Sequence, residues 1–136
     1  MDMTLQISRS LVDQINSETM RSRLEVCGLL LGQRSQVEAI APCANVHTTP
    51  ATHFELDPAA LFRALRAARG GGSRVIGHYH SHPSGDALPS ITDAASAPPD
   101  GAFWLIAASS DLTAWRAVHD GAVHGRFDPV TLAIAP

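Results

Sequence analysis

Apolar residues along the chain fall into short alternating or continuous runs that predict β-strands. The alternation in "MTLQI" (3–7) predicts a first strand, and the continuous apolar run in "EVCGLLLGQ" (25–33) is typical of a buried central strand. The segment "QVEAIAPC" (36–43) alternates and is expected to pair with that strand. Further strands are predicted over 53–56, "RVIGHYH" (74–80), "AFWLIAAS" (102–109), "LTAWRAVH" (112–119), "AVHGRFD" (122–128) and "VTLAI" (130–134).

Three other segments have helical features. A serine, at position 8 or 10, is expected to cap a first helix that ends near Arg23. Asp57 followed by Pro58 predicts an N-cap with proline at the first helical position, and "RGGGS" (69–73) ends that second helix. Ser90 opens a short third helix through "SITDAASA" (90–97). The predicted buried faces are Leu11, Val12, Ile15 and Thr19 in the first helix, and Leu61, Leu65 and Ala68 in the second.

These elements predict one mixed α+β domain over residues 1–136, with a mixed, largely antiparallel sheet flanked by helices. No internal repeat, linker or low-complexity segment divides the chain, and its 136 residues with 45% hydrophobic content suit one core. The net charge of -3 and the scattered basic residues favour no nucleic-acid partner. No apolar run approaches the roughly 20 residues that cross a bilayer, so we expect a cytoplasmic protein without a membrane partner.

The segment "GHYHSHPSGDALPSITD" (77–93) carries the most informative chemistry. Because strand side chains alternate, His78, His80 and His82 are expected on one face. Such histidines can be the polar face of an edge strand, or they can converge on a metal ion. The glycine and prolines that follow turn the chain back, and the third helix then returns Asp93 towards the imidazoles.

Two histidines and one carboxylate form a typical catalytic zinc set, because three protein ligands leave a tetrahedral position open for water. Asp93 has a second interpretation, since Ser90 and Asp93 have the spacing of a capping box. The two cysteines, Cys27 and Cys43, lie far from the histidines in sequence and are expected to be reduced and mostly buried.

A hydrolase with this zinc set also needs a general base outside the metal ligands. Glu25 is the most interesting candidate because it directly precedes the buried strand, where a rigid strand start can hold a partly desolvated carboxylate. A surface acid at a helix-to-strand turn is the alternative. The other acidic candidates are Glu18, Glu38, Glu55, Asp57 and Asp86.

At these residues the chain resembles the JAMM (MPN-plus, Mov34/JAB) metalloproteases, most of all the short prokaryotic members. Their signature is a Glu before an apolar strand, then His-x-His, seven residues, Ser, two residues and Asp. Here it is matched by Glu25, His80, His82, Ser90 and Asp93, with seven residues from position 83 to 89. The resemblance follows the element order from about residue 5 to residue 120.

The resemblance implies a cytidine-deaminase-like JAB/MPN fold, and it implies a role for each signature residue. His80, His82 and Asp93 would bind one zinc ion, Glu25 would be general base and then general acid, and Ser90 would stabilise the oxyanion. His78 lies outside the signature and is interpreted as a flanking residue, while Ser81 is expected to orient a ligand imidazole. Cytidine deaminases themselves need a Pro-Cys-x-x-Cys element that this sequence lacks.

The resemblance also implies a substrate class. Members of the family cleave amide or isopeptide bonds after the C-terminal Gly-Gly of ubiquitin-like β-grasp proteins. The segment "TTPATHFELDP" (48–58) and the stretch after Asp93 are short compared with polyubiquitin-directed relatives. We therefore expect a bacterial enzyme acting on sulfur-carrier (ThiS/MoaD-type) or bacterial ubiquitin-like proteins, by precursor trimming or by deconjugation. An activating (E1-like) adenylating enzyme is a candidate pathway partner.

The alternative function is a metal-free or inactive scaffold, as in many domains of this fold. Such scaffolds have lost ligand residues, and this chain has lost none of the signature. The remaining histidines are expected at the surface or in turns, and Trp104 and Trp115 in the core or on a sheet face. These remaining histidines are His47, His53, His119 and His124.

Monomer and homodimer are both compatible with the sequence.

Overall fold

The computed structural model describes residues 3–83, 85–109 and 111–136. Its seven strands and three helices follow the order predicted by the hydrophobic pattern, with two exceptions described below. The strands are β1 Thr4–Ser8, β2 Cys27–Gln33, β3 Gln36–Cys43, β4 Arg74–Ser81, β5 Phe103–Ala108, β6 Asp111–Gly121 and β7 Gly125–Ala135. The helices are α1 Arg9–Met20, α2 Pro58–Arg69 and α3 Ile91–Ser96.

The strands form a closed mixed barrel in the order β1-β3-β2-β4-β5-β6-β7, in which β7 also pairs with β1. The mixed α+β class is confirmed, but the strands close into a barrel where a sheet flanked by helices was expected. Three of the strand pairs are parallel, namely β1 with β3, β1 with β7 and β4 with β5. Closure follows from the first strand, because it inserts between β3 and the last strand and so removes both sheet edges.

Two clusters of apolar side chains pack on opposite faces of the sheet. The first contains residues from α1 and the sheet, including Leu5, Ile15, Leu30, Tyr79 and Leu105. The second contains residues from β5, β6 and β7, including Trp104, Ile106, Trp115 and Phe127. Strand β5 is buried along its whole length because its alternate residues enter the two clusters. The expectation that both tryptophans are core residues is confirmed.

Helix boundaries follow local chemistry. The side chain of Ser8 accepts a hydrogen bond from the amide of Leu11 and caps α1, and that of Asp57 accepts one from Ala59 and caps α2. Val12 and Ile15 are buried as predicted. No helix among the described residues is long and apolar enough to cross a membrane.

The predicted buried stripe of α2 is wrong, because none of the described residues of this helix is buried. Leu65 is 43% exposed, and Leu61 and Ala68 are only half-buried. The helix lies mainly against β4, and its apolar residues stay partly in solvent.

Two strand predictions also differ from the structure. Residues 53–56 form no strand and make only an isolated bridge between Leu56 and Asn45. The two strands predicted over 122–128 and 130–134 are one strand, β7, which continues through Pro129. Proline is tolerated because its nitrogen points to the same side as that of Thr131, which donates to Met3 just before β1, and therefore faces away from the paired strand β6.

Large-to-small substitutions should reduce the free energy of unfolding more in the buried helix α1 than in the exposed helix α2. We expect Ile15→Ala, in α1, to reduce the free energy of unfolding by about 2–5 kcal/mol, because it removes a fully buried side chain. Leu65→Ala, in α2, should cost less than about 1 kcal/mol. Urea unfolding followed by circular dichroism measures both, and equal losses would contradict the difference in burial.

Candidate metal centre

The register between β2 and β4 brings distant parts of the sequence together. The two strands are antiparallel, and Cys27 lies opposite His80. Continuing this register places Glu25, two residues before Cys27, beside His82, two residues after His80. Two hydrogen bonds extend the pairing past the strand ends: the amide of Val26 donates to the Ser81 hydroxyl, and the amide of Ser81 donates to the Val26 carbonyl. The carboxylate and the imidazoles therefore meet at one end of the barrel.

The bend after β4 returns Asp93 to the histidines. The amide of His82 bonds to the Ala107 carbonyl on β5, and the ring of His124 donates to the Pro89 carbonyl within the bend. Helix α3 then begins with a capping box, in which the Asp93 amide donates to the Ser90 hydroxyl and the Ser90 amide donates to the Asp93 carboxylate. The capping interpretation of Asp93 is thus correct, and the same carboxylate also faces the imidazoles.

Three side chains converge closely. The Nε2 atoms of His80 and His82 are 3.0 Å apart, and Asp93 oxygens lie 3.2 Å from the first and 3.1 Å from the second. Ligands of tetrahedral zinc, with bonds of about 2.0–2.1 Å, are separated by about 3.3 Å. The observed separations are close to that value, so the donor set fits a zinc ion in spacing and in kind.

Hydrogen bonding at His82 strengthens this fit. Its Nδ1 lies 2.7 Å from the Asp86 carbonyl, which only accepts, so Nδ1 carries the proton. In the neutral ring Nε2 then carries a lone pair, which faces a carboxylate oxygen of Asp93. Two hydrogen-bond acceptors repel each other at this distance. The contact is therefore favourable only when the imidazole is protonated or when a cation lies between the two atoms.

The charges in the cluster respond to burial and to each other. Burial alone would raise the pKa of Asp93, but the hydrogen bonds from both imidazoles outweigh it and hold the pKa well below its usual range. Burial would lower the pKa of His82, but Asp93 raises it above its ordinary value. Burial lowers the pKa of His80. The ionised form of Asp93 is therefore favoured beside two imidazole nitrogens that can bind a cation.

Glu25 lies beside this group in a different environment. One of its carboxylate oxygens is within 4.8 Å of donor nitrogens of His80 and His82, and the residue is only 6% exposed. Burial raises its pKa to about 7, with a further increase from Asp93 and a decrease from His82. The alternative of an ordinary surface acid is therefore wrong. A carboxyl group with this pKa can take up and release a proton near neutral pH.

Aromatic rings enclose the buried end of the cluster. Phe54 stacks on the His80 imidazole, with ring centroids 4.2 Å apart and an angle of 17° between the planes. Trp104 contacts His78 edge to face at 4.2 Å and His80 at 5.6 Å. His78 shares the face of the other two histidines, as strand alternation predicts, but it belongs to this aromatic packing. Burial lowers its pKa to about 3, so the ring is neutral.

A pocket of about 280 Å³ opens beside the cluster. Glu25, His82 and Ser90 lie on its wall, together with residues of the bend and of the loop around Thr52. A second pocket of about 270 Å³ lies on the other side of Thr52 and Thr92 and reaches Asp93. The first pocket therefore reaches Glu25 and His82, and the second reaches Asp93.

The structure brings together the five residues of the sequence signature, which are Glu25, His80, His82, Ser90 and Asp93. The expected role of one neighbouring residue, Ser81, is wrong. Ser81 does not bond to an imidazole; its hydroxyl accepts from the Val26 amide. Both cysteines are free, and Cys27 is buried whereas Cys43 is only half-buried. His47 and His53 stack on each other in the loop, and neither joins the cluster.

Sequence reasoning missed two residues of the site, Phe54 and Asn45. Phe54 falls in the segment predicted as a strand, where an aromatic residue is expected to be ordinary packing. Asn45 falls in an irregular segment and makes hydrogen bonds to Glu25 and to the following loop. The proline in the segment after Asn45 predicts an irregular loop, but it does not predict which residues of that loop contact the site.

The chain is similar in sequence to known proteins. The profile of the family described as "Prokaryotic homologs of the JAB domain" matches residues 8–118. The chain is 39% identical over 92 residues to the "Probable TtuB-protein conjugate cleaving protease" of Thermus thermophilus, covering 67% of this chain and 62% of that protein. It is 40% identical over 84 residues to the "Desampylase" of Haloferax volcanii, covering 60% of each chain. The alignments thus span about three fifths of these relatives.

A solved structure supports the fold. The solution structure of protein DSY2949 from Desulfitobacterium hafniense superposes with a TM-score of 0.81 and 24% identity, covering 97% of this chain and 92% of that one. At this identity the likeness concerns the fold alone.

The environment of Glu25 predicts its titration. In metal-free protein we expect the Glu25 carboxyl to titrate near pH 7, because burial disfavours the carboxylate. Zinc should lower this pKa, since a nearby cation favours the charged form. Carboxyl carbon NMR across pH 4–9 measures both, and Glu25→Gln assigns the signal. An unshifted titration near the ordinary glutamate value of about 4.3 would contradict the desolvated site.

Proposed function

Because the chain belongs to the family of prokaryotic homologs of the JAB domain, we propose that it is a zinc-dependent peptidase or isopeptidase. Its substrate would be a ubiquitin-like or sulfur-carrier β-grasp protein, cleaved after a C-terminal Gly-Gly. The observation that carries the proposal is the convergence of two imidazoles and Asp93 beside the desolvated Glu25.

His80, His82 and Asp93 are the residues that would hold zinc. The lone pair of His82 Nε2 is directed at the cluster by the bond from Nδ1 to Asp86, and the Asp93 carboxylate is fixed by the Ser90 amide. Zinc at this position supplies Lewis-acid chemistry, which acidifies water and polarises a carbonyl group.

Glu25 would move the proton. Its carboxylate takes a proton from the attacking water and then donates it to the nitrogen of the leaving amine, so that the carbon–nitrogen bond breaks and the carboxylate is restored. A pKa near 7 suits both halves of this transfer, because neither the charged nor the neutral form is strongly preferred at neutral pH. Glu25 is only 6% exposed, yet it lies on the wall of the pocket where the attacking water would enter.

Ser90 would stabilise charge on the substrate oxygen. Its hydroxyl accepts from the Asp93 amide, which leaves its own hydrogen free to donate, and the residue lies on the wall of the pocket that holds Glu25 and His82. A donor aimed at the developing oxyanion contributes only in the transition state. Capping and catalysis are therefore compatible for this serine.

The substrate proposal combines the family resemblance with the pocket. An extended tail ending in two glycines can enter a narrow passage and bring its last carbonyl to the cluster, because glycine has no side chain to exclude. Two prolines, Pro83 and Pro89, make the bend that lines this passage rigid. One relative's name specifies cleavage of protein conjugates, which favours deconjugation over trimming. An activating (E1-like) adenylating enzyme that forms the conjugate would belong to the same pathway.

Metal binding should depend on the cluster. We expect purified protein to hold about one zinc ion per chain, and His82→Ala to lose most of it because one of the three ligands is gone. His119→Ala, which changes an exposed histidine far from the cluster in sequence, is the matched control and should keep the metal. Mass spectrometry of the metal content measures all three. Wild-type protein without metal, and without chelator-sensitive activity, would favour the scaffold alternative.

Cleavage should depend on Glu25 without affecting zinc. We expect Glu25→Gln to keep the metal and to lower kcat by about a hundred- to ten-thousandfold, since it removes the general base. Glu38→Gln, at an exposed glutamate, should leave kcat unchanged within about twofold. The substrate is a β-grasp protein with a Gly-Gly tail, joined to a lysine side chain in one assay and to a linear peptide in another.

The two substrates separate deconjugation from trimming. Faster cleavage of the lysine conjugate supports deconjugation, and faster cleavage of the linear extension supports precursor processing. A Glu25→Gln variant that retains zinc and cleaves either substrate at the wild-type rate would show that the base assignment is wrong.

A further inference from the structure

The loop between β3 and α2 is joined to Glu25 through its backbone. The Glu25 amide donates to the Pro50 carbonyl at 2.8 Å, and the Asn45 side chain donates to the Glu25 carbonyl at 2.9 Å. On its other side the same chain segment is bonded to β4 through Val26 and Ser81. The backbone at Glu25 is therefore held between the loop and the strand that carries the histidines.

Asn45 is the residue on which the loop converges. Besides Glu25, its side-chain nitrogen donates to the His53 carbonyl at 2.9 Å and approaches the Pro50 carbonyl at 3.4 Å. Its side-chain oxygen accepts from the amides of His47 and Glu55, each at 3.1 Å. Both amide hydrogens and both oxygen lone pairs are used, which fixes the orientation of the side chain.

The loop so organised forms part of the site. Thr52 lies on the wall of the pocket that contains Glu25, and Phe54 stacks on His80. The Asn45 side chain thus links the backbone of Glu25 to the loop that carries Thr52 on the pocket wall. No other described side chain donates to the backbone carbonyl of Glu25.

We propose that Asn45 is a positioning residue for the reaction: its side-chain amide holds the backbone of Glu25 so that the carboxylate stays beside the metal ligands and in reach of the attacking water. This inference rests on the proposed function. Asn45 is in neither the side-chain cluster nor the lining of the two pockets beside it, so it would act through Glu25. Displacement of a reacting group by about 1 Å can cost about a hundredfold in rate, so we expect loss of the bond from Asn45 to the Glu25 carbonyl to have a large effect.

Two substitutions test the tether, and one control isolates it. Asn45→Asp has nearly the same shape and keeps the acceptor oxygen, but it loses the donor and places a charge against three carbonyls. Asn45→Ser removes the tether without adding charge and carries the test if Asn45→Asp does not fold. Thr49→Val is the matched control, because Thr49 is exposed and its hydroxyl bonds only to His47 and His53 within the loop.

We expect Asn45→Asp to lower kcat by about ten- to a hundredfold and to change KM by less than about threefold, with zinc content unchanged. In a Glu25→Gln background the same substitution should change the residual rate by less than about twofold, because the group it positions is gone. Thr49→Val should leave kcat within about twofold of wild type. Equal losses in the two backgrounds would mean a general structural role and overturn the proposal, as would a wild-type kcat for Asn45→Asp.

Hydrogen exchange tests the tether without any activity. The Glu25 amide should be protected in the wild-type protein, and Asn45→Ser should accelerate its exchange by about tenfold or more. The Val26 amide, bonded to Ser81, should change little and serves as the internal control. Fast exchange at Glu25 in the wild type overturns the tether. A protein with the protected amide but no peptidase activity would refute the proposed function and leave the tether standing.

Discussion

The antiparallel pairing of β2 with β4 is the constraint on which the site depends. With Cys27 opposite His80, the residues just before β2 and just after β4 are neighbours, although more than fifty residues separate them in sequence. Side chains alternate along a strand, so a slip by one residue would send the imidazoles into the cluster that now contains Tyr79 and would break the pairing of Glu25 with His82. Closure of the barrel supports this register, since β2 is also paired with β3 and β4 with β5 along their lengths.

The same small region gives two carboxyl groups opposite properties. Asp93 sits on a helix N-terminus, accepts from the Ser90 amide and lies against both imidazoles, so its pKa lies far below that of a free aspartate. Glu25 is similarly buried, but no group among the described residues donates to its carboxylate, so desolvation dominates and its pKa rises to about 7. One carboxylate is therefore suited to hold a cation and the other to carry a proton. Pairs of groups whose pKa values are pushed apart in this way are typical of acid–base sites.

The sequence predicted the site better than the fold around it. Residues 80, 82, 90 and 93 lie close together in the chain, and alternation, a bend and a capping box are local rules that sufficed to bring them together. Glu25 was a candidate because it directly precedes the buried strand, but only the resemblance joined it to the histidines, because no local rule relates it to them. Closure of the barrel through β1 and β7 could not be predicted, since it depends on a parallel pairing between the two ends of the chain. The prediction of a buried stripe on α2 was wrong for a related reason. Periodicity indicates which residues share a helix face, but it does not indicate whether another element covers that face.

The loop after β3 shows how a segment without regular structure can be as well determined as a strand. Irregular backbone near a buried site leaves amides and carbonyls that need partners, and here one asparagine satisfies five of them. Asparagine suits this position because it combines two donors with an acceptor on a short side chain, whereas aspartate lacks the donors and glutamine is longer. The aromatic face of Phe54 then covers His80 without competing for its nitrogens. The loop thus covers the ring of His80 while leaving the donor atoms free for a cation, and a desolvated base and an ionised ligand lie within a few ångströms of the same imidazoles.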